Sequence, residues 1–519
     1  MAQDERIDKW MSQGILEPSR ILERIEVEHL IEPDSDNLPS SIEELDEAAF
    51  ISLLCNKGGL PQPCEGFGHL IYSVVAYLSA TPFYPQPSEQ VPSSLSLAGI
   101  YRGLAWILPD THRRIIGAGS SARSRTVADH RRLLFQSLAT ATHNGSYDPA
   151  EAQERAIYNA HFEPDAFYDN PDWLFVNRDD DGDEMYHDVL DVLHECQPEP
   201  NYPYGGVPRD GFREFAKTLI KGQPKFDSLA IPRDRFTTFV TFLLALQFET
   251  QTPAEPVLSQ YEEAAKDIVA SFCGDAKADI ITWPRFDDAL KQMPFLFDPL
   301  HRILSATFLK ERPFSVSGDW IAPIPPQDSF MTLPRLSQLA TMINQDVDFE
   351  SFGRAHQFHK GIRPTAGVLA NFMKTMPDLS ILTLCGLSSA DEKYIFGVFK
   401  PLLLDVEKET EGDEDHRETS DEEDEEQRKP VVREMDPVHD WVEFRGHIRF
   451  PARPILFVLS PAQRAVRIKD EPRVVDDRLH FGDVLTISSD GTASIGIGDT
   501  AILIKTKAIE IWGETSTRT

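Results

Sequence analysis

A chain of 519 residues, 41% hydrophobic and 10% aromatic, is too long for one core and can build roughly two to four domains. Its 84 acidic against 51 basic side chains leave a formal net charge of −33, which disfavours non-specific binding to nucleic acid or anionic lipid and makes a basic protein surface the better-matched partner. Five cysteines (Cys55, Cys64, Cys196, Cys273, Cys385), odd in number and without a C-x-x-C spacing, read as reduced and mostly buried thiols of a cytosolic protein. The opening MAQDERIDKW lacks an apolar signal core, Ala2 excludes N-terminal myristoylation, and no run approaches the ~18 apolar residues that span a bilayer. Membrane residence is therefore expected only through a protein partner.

In chain order, residues 1–55 set apolar side chains at helical spacing between charges (Ile15, Leu16, Ile21, Leu22, Ile25), with Ser41-Ile-Glu-Glu44 in the form of a capping box before the next helix. These predict surface helices packed on a core. An apolar helix from Leu70 to Leu78 is followed by a proline-rich stretch from Thr81 to Pro92, which has no basic anchor beside its prolines and reads as an inter-helix loop. Six arginines (Arg113, Arg114, Arg123, Arg125, Arg131, Arg132) then surround a Gly-Ala-Gly-Ser-Ser loop. That loop lacks the length and the Lys-Ser/Thr ending of a phosphate-binding loop. The arginines are expected to pair with the chain's own acidic insertion or to dock an anionic partner.

The sharpest local motif is Asn177-Arg-Asp179-Asp-Asp181-Gly182-Asp183, which fits the first seven positions of a calcium-binding EF-hand loop. Alternate oxygens from Asn177, Asp179, Asp181 and Asp183 would converge on the ion, and Gly182 would make the sharp bend. The eighth position, normally apolar, is Glu184, and the twelfth, normally a bidentate Glu, is the shorter Asp188. Weak calcium binding and a solvated acidic loop are both compatible with this pattern. A second half-signature, Ile281-Thr-Trp-Pro-Arg-Phe286, has Ala276, Ala278 and Arg285 where ligands would stand, so it predicts EF-hand-like packing without an ion. Apolar helices at Phe212 to Leu219, Phe236 to Phe248, Leu258 to Phe272 and Phe286 to Phe308 complete the expected division: a helical region over 1–150, then a helical EF-hand-like domain over 151–310.

From residue 311 a third domain is expected. A proline-rich linker (Trp320 to Pro326) and helices at Leu333 to Met342 and Thr365 to Met376 lead into a β-rich end. His356 and His359 have aromatic neighbours and no ligand set, so they read as packing residues. Ile381 to Phe399 predicts a hairpin about Ser388 to Lys393; Ile455 to Leu459 predicts a strand; Val484 to Ile497 predicts two strands about an Asp490-Gly491 turn; Ala501 to Gly513 predicts a closing pair. Between these blocks, Asp405 to Arg428 holds fourteen acids and three bases, an excess of eleven negatives, and no aromatic residue. The acidic insertion, about 405–430, is expected to be disordered. Thr419 and Ser420, ahead of Asp421-Glu-Glu-Asp-Glu-Glu426, resemble sites of acid-directed kinases.

Three phrases, Tyr394-Ile-Phe-Gly-Val-Phe399, Pro454-Ile-Leu-Phe-Val-Leu459 and Ala508-Ile-Glu-Ile-Trp-Gly513, resemble in order and spacing the "vFGay", "sFLFsl" and "lEvWg" phrases of the TLDc domain of oxidation-resistance and fungal restriction-of-telomere-capping-like proteins. The sequence departs from that pattern at Arg449-Phe-Pro-Ala-Arg-Pro454 and Phe481-Gly-Asp483, where the family is glycine-rich. The resemblance implies an α+β protein: a helical N-terminal region with EF-hand-like units, then a TLDc-type β-sandwich flanked by helices. It further implies a non-enzymatic cytoplasmic regulator or adaptor that binds peripheral subunits of the vacuolar proton-pumping ATPase and contributes to oxidative-stress resistance. The alternative is a calcium-responsive signalling protein. No catalytic or cofactor-binding residue is assigned, calcium aside: nucleophile–base pairs and nucleotide signatures are missing from the sequence, and Cys385 sits in an apolar strand with no cationic neighbour to activate it.

Overall fold

The computed structural model describes residues 3–28, 43–57, 60, 65–83, 91–108, 127–142, 150, 184–198, 206–221, 228–248, 258–274, 278–309, 323–343, 349, 352–358, 364–375, 380–400, 454–468, 472–497 and 500–514. The fold is α+β. The chain divides into two compact units, one of residues 1–322 with 334–344 and one of 323–333 with 345–519. Among the described residues no helix is long and apolar enough to cross a membrane.

In the first unit, helices α1 (Gln3–Ser12) and α2 (Pro18–Glu28) precede a short strand β1 (Glu44–Asp46), which runs straight into α3 (Glu47–Asn56). The cap of α3 is Asp46, whose carboxylate accepts from the Ala49 amide at 2.7 Å, so the helix starts later than the Ser41 capping box predicts. Helix α4 (Glu65–Ser79) leads to strand β2 (Ser94–Ser96) and α5 (Leu97–Ile107), which repeats the device with Ser96 as cap. Strands β1 and β2 pair antiparallel, Leu45 opposite Leu95.

The same arrangement recurs further on. Helix α6 (Val127–Leu138), strand β3 (Ala141–Thr142), α7 (Glu184–Glu195) and α8 (Arg213–Leu219) are followed by β4 (Leu229–Pro232) running into α9 (Arg233–Ala245). Then α10 (Glu262–Cys273) is followed by β5 (Ile280–Thr282) running into α11 (Trp283–Gln292). Strand β4 pairs with both β3 and β5, Ile231 opposite Ile281. Phe286 of α11 is the hub of the aromatic core, with Phe135, Phe236 and Phe272 all 5.4–5.9 Å away between ring centroids. Helices α12 (Asp298–Phe308) and α13 (Leu333–Ala340) complete the helical elements before the sheet. The sequence predicts that the α13 segment leads into the sheet; instead Arg335 fixes it to α10 through Glu263 and Asp267, both at 2.6 Å.

Among the described residues the second unit is one ten-stranded antiparallel sheet with helix α14 (Ala366–Thr375) packed on it. Its strands are β6 (Phe352–Phe358), β7 (Ser380–Ser388), β8 (Lys393–Lys400), β9 (Ile455–Ser460), β10 (Arg464–Arg467), β11 (Arg473–Val475), β12 (Arg478–Phe481), β13 (Leu485–Ser488), β14 (Thr492–Ile497) and β15 (Thr500–Glu514). The spatial order is β10-β9-β8-β7-β15-β14-β13-β12-β11, with β6 also on β15. Laid flat, the end strands β10 and β11 would lie about 38 Å apart at ~4.8 Å per step, yet the link from Arg467 to Arg473 reaches at most about 22 Å. The sheet must therefore curl, and its core records the closure. Leu382, Phe396 and Leu456 of one half share a buried cluster with Leu479, Ile487 and Ile495 of the other, and α14 adds Ala366, Leu369 and Met373.

Both predicted hairpins form. β7 and β8 pair with Leu384 opposite Phe396, and β13 and β14 turn at Gly491, whose φ of +82° is the left-handed conformation glycine tolerates. The predicted closing pair does not form: residues 500–514 make one strand, because nothing between Ile504 and Ala508 can turn. Its first half pairs with β14 and its second with β6, while β7 runs along the other side through a register shift between Thr506 and Ala508. One long strand thus belongs to both halves of the curled sheet.

Candidate functional site

The predicted basic patch is largely outside the described residues, but its last two arginines are not on the surface. Helix α6 turns Arg131 and Arg132 into the helical unit. Arg132 donates from both terminal nitrogens to the two oxygens of Asp188, each at 2.7 Å, and from Nη1 to Gln136 Oε1 at 2.7 Å. Arg131 Nε donates to Asp287 at 2.7 Å, and Lys291 reaches the second oxygen of that carboxylate at 2.8 Å. A third buried pair, Arg209 to Asp191 at 2.6 Å, lies one turn along α7 from Asp188, with His187 Nδ1 3.1 Å from the same guanidinium. Both patch arginines among the described residues are thus paired inside the fold.

Burial alone would push the Asp287 carboxyl up, but Arg131 and Lys291 outweigh it and hold the group below its ordinary value. The stabilisation this supplies is complete above the unfolded carboxylate value of about 3.9 and is lost as pH falls through the lower folded value. Urea midpoints of the full chain are expected to drop between about pH 5 and pH 3, and to drop less in Asp287→Asn, which has already lost the linkage.

Of the calcium-loop candidates, Asn177, Asp179, Asp181 and Asp183 lie outside the described residues. Asp188 lies in α7, which already begins at Glu184, the loop's eighth position, and both its oxygens face Arg132. Thr419 and Ser420 also lie outside the described residues. Among those described, no group of three His, Cys, Asp or Glu could hold a metal ion. Cys385 is half-buried on β7, opposite Ile395 and Ala508, and burial pushes the Cys273 thiol up, although Arg233 beside it opposes the shift. The His356 ring stacks on Phe372 at 5.2 Å, as a packing histidine does; His359 lies outside the described residues.

In the sheet unit the polar centre is Glu510, which the sequence reading did not single out. Fully buried on β15, its carboxylate accepts from Ser329 Oγ at 2.7 Å, Trp512 Nε1 at 3.2 Å and Arg354 Nη1 at 3.3 Å. Arg354 is anchored in turn by Asp328 at 2.8 Å, and Thr383 donates to the Glu510 carbonyl at 3.1 Å. The Trp512 ring stacks on Phe352. These bonds tie β6, β7, β15 and the segment at 328–331 together. Glu510→Gln keeps the acceptor on one side but removes the charge facing Arg354, and is expected to cost about 1–2 kcal/mol in urea unfolding. The readable signal was a lone acid between Ile509 and Ile511.

The sheet also brings two of the sequence phrases into contact. Gly397 of β8 lies directly across from Phe457 of β9. A Cβ at Gly397 would sit 2.6 Å from the edge of that ring and would overlap the Leu382 carbonyl on the other neighbouring strand. The glycine of one phrase makes room for the phenylalanine of the other.

A scan against protein-family models finds no match to this chain, and a search of curated proteins finds no relative.

Proposed function

We propose that the chain is a non-enzymatic regulator or adaptor of the TLDc type, which binds peripheral subunits of the vacuolar proton-pumping ATPase and contributes to oxidative-stress resistance. The observation carrying this reading is the convergence of the three phrases: Tyr394–Phe399 and Ile455–Leu459 lie on neighbouring strands with Gly397 against Phe457, and Ala508–Gly513 lies two strands from β8, across β7. A sheet curled around a shared core is the form a TLDc-type β-sandwich would take. Its outer face and connecting loops would grip the partner, with the chain cytoplasmic and recruited to a vacuolar or lysosomal membrane only through that partner.

Affinity purification under gentle detergent tests it. The full chain is expected to recover ATPase subunits and a chain lacking residues 345–519 to recover none; equal recovery, or none from either, rejects the reading.

One feature favours the second reading, a calcium-responsive protein. The β1/β2 and β4/β5 pairs each run directly into helices, as the loops of paired EF-hands do. In the second pair Arg285 packs on Gly274, its guanidinium 2.8 Å from where a Cβ at that glycine would be. Calorimetric titration of the full chain with calcium separates the two. Binding heat abolished by Asp179→Asn with Asp181→Asn would support the calcium reading; no heat at millimolar calcium would remove it.

A further inference from the structure

Strand alternation sends one set of side chains from β12–β15 into the core and the other outward, while β11 is exposed throughout. On the outward side the register aligns Leu503, Ser494, Thr486, His480 and Arg473 in one row. The next row joins Lys505 to Thr492, and Ser488 to Arg478 and Val475. Thr486 Oγ1 lies 3.1 Å from His480 Nδ1, as the row requires. The middle of this face is small and hydroxyl-bearing. Arg473, Arg478, Lys505 and Lys507 stand exposed along it and form no ion pair with any described residue. Neither row holds a carboxylate; the acids nearest in sequence, Asp476, Asp477, Asp483 and Asp490, lie outside the rows. Two apolar side chains complete the surface, Leu503 at 62% exposure and Val475 at 47%.

We propose that this face is the docking surface for the chain's own acidic run, Asp405 to Arg428. The charges are complementary: four cations with no ion pair among the described residues meet a run with an excess of eleven negatives in a chain whose net charge is −33. The connectivity favours the same chain over a second copy. Residues 401–453 leave from Lys400 and return at Pro454, next to the paired residues Phe399 and Ile455, so both ends are held by this sheet. Lys505 lies opposite Leu387, about 23 Å along β7 from Ser380, the partner of Lys400. Eighteen residues, from Lys400 to Glu418, reach up to about 60 Å when extended, enough to pass around the sheet edge. Tethering supplies an effective concentration that no separate partner has at ordinary cellular levels. Because the pairs are exposed, salt weakens them. The proposal does not depend on the ATPase reading.

Carbodiimide cross-linking of the full chain, read by mass spectrometry, tests it without mutation. Amide links from carboxylates of 405–428 to Lys505 and Lys507 are expected, falling at least about five-fold at ~1 M salt. Links confined to Lys400 and other lysines, or links joining a labelled copy to an unlabelled one, overturn it. As a second measure, replacing the fourteen acids of the run by Ser and Gln is expected to raise the acylation rates of Lys505 and Lys507 about three-fold; unchanged rates overturn it.

Discussion

Arg132→Met is expected to destabilise the helical unit by about 3–5 kcal/mol. The guanidinium and the Asp188 carboxylate are both buried, and the replacement removes two charge-assisted hydrogen bonds of 2.7 Å each from that carboxylate. The penalty comes from stranding a charge, so removing both charges should cost much less than removing one. Arg132→Met combined with Asp188→Leu is therefore expected to recover at least half of the loss, since a buried ion pair and an apolar pair of similar volume are close in stability. Urea unfolding followed by the helical circular dichroism signal measures both. Losses that simply add would mean that the two residues do not act as a pair.

Gly397→Ala is the second large effect, about 3 kcal/mol or more. One added methyl must displace both the Leu382 carbonyl, held in the ladder between β7 and β8, and the buried Phe457 ring. Phe457→Ala, itself expected to cost about 3–5 kcal/mol, vacates only the ring side. The double replacement should consequently stay severely destabilised. Gly367→Ala in α14 is the contrast: a Cβ there meets only Thr365 Oγ1 at 4.0 Å, and the helix gains up to about 1 kcal/mol. Equal effects at the two glycines would mean that the β8–β9 crossing is looser than described.

What the sequence made legible follows the range of the forces involved. The hairpin of β7 and β8 and the turn at Gly491 are written in alternation and turn chemistry within a few residues, and both were readable. So was α14, whose apolar positions fall on one face. The continuity of β15 is also legible, since no turn residue interrupts Ile504 to Ala508. The ion pairs were not readable. Arg131 and Asp287 are 156 positions apart, Arg132 and Asp188 are 56 apart, and periodicity does not say which charge on a helix faces inward. Spacing alone puts Asp188 at the twelfth position of a calcium loop, and only the folded chain shows both its oxygens against Arg132. Gly397 and Phe457 had the same difficulty in milder form, for each was visible as part of a phrase and only the register shows that one needs the other.

The proposed role of the curled C-terminal sheet is that of a protein-binding module for the ATPase. Co-sedimentation of the purified full chain with vacuolar membranes tests it most directly. The account predicts that the chain pellets with membranes carrying the assembled ATPase, stays in the supernatant with the same membranes stripped of their peripheral sector, and returns to the pellet when that sector is restored. Equal pelleting with intact and stripped membranes, or none with either, would contradict it.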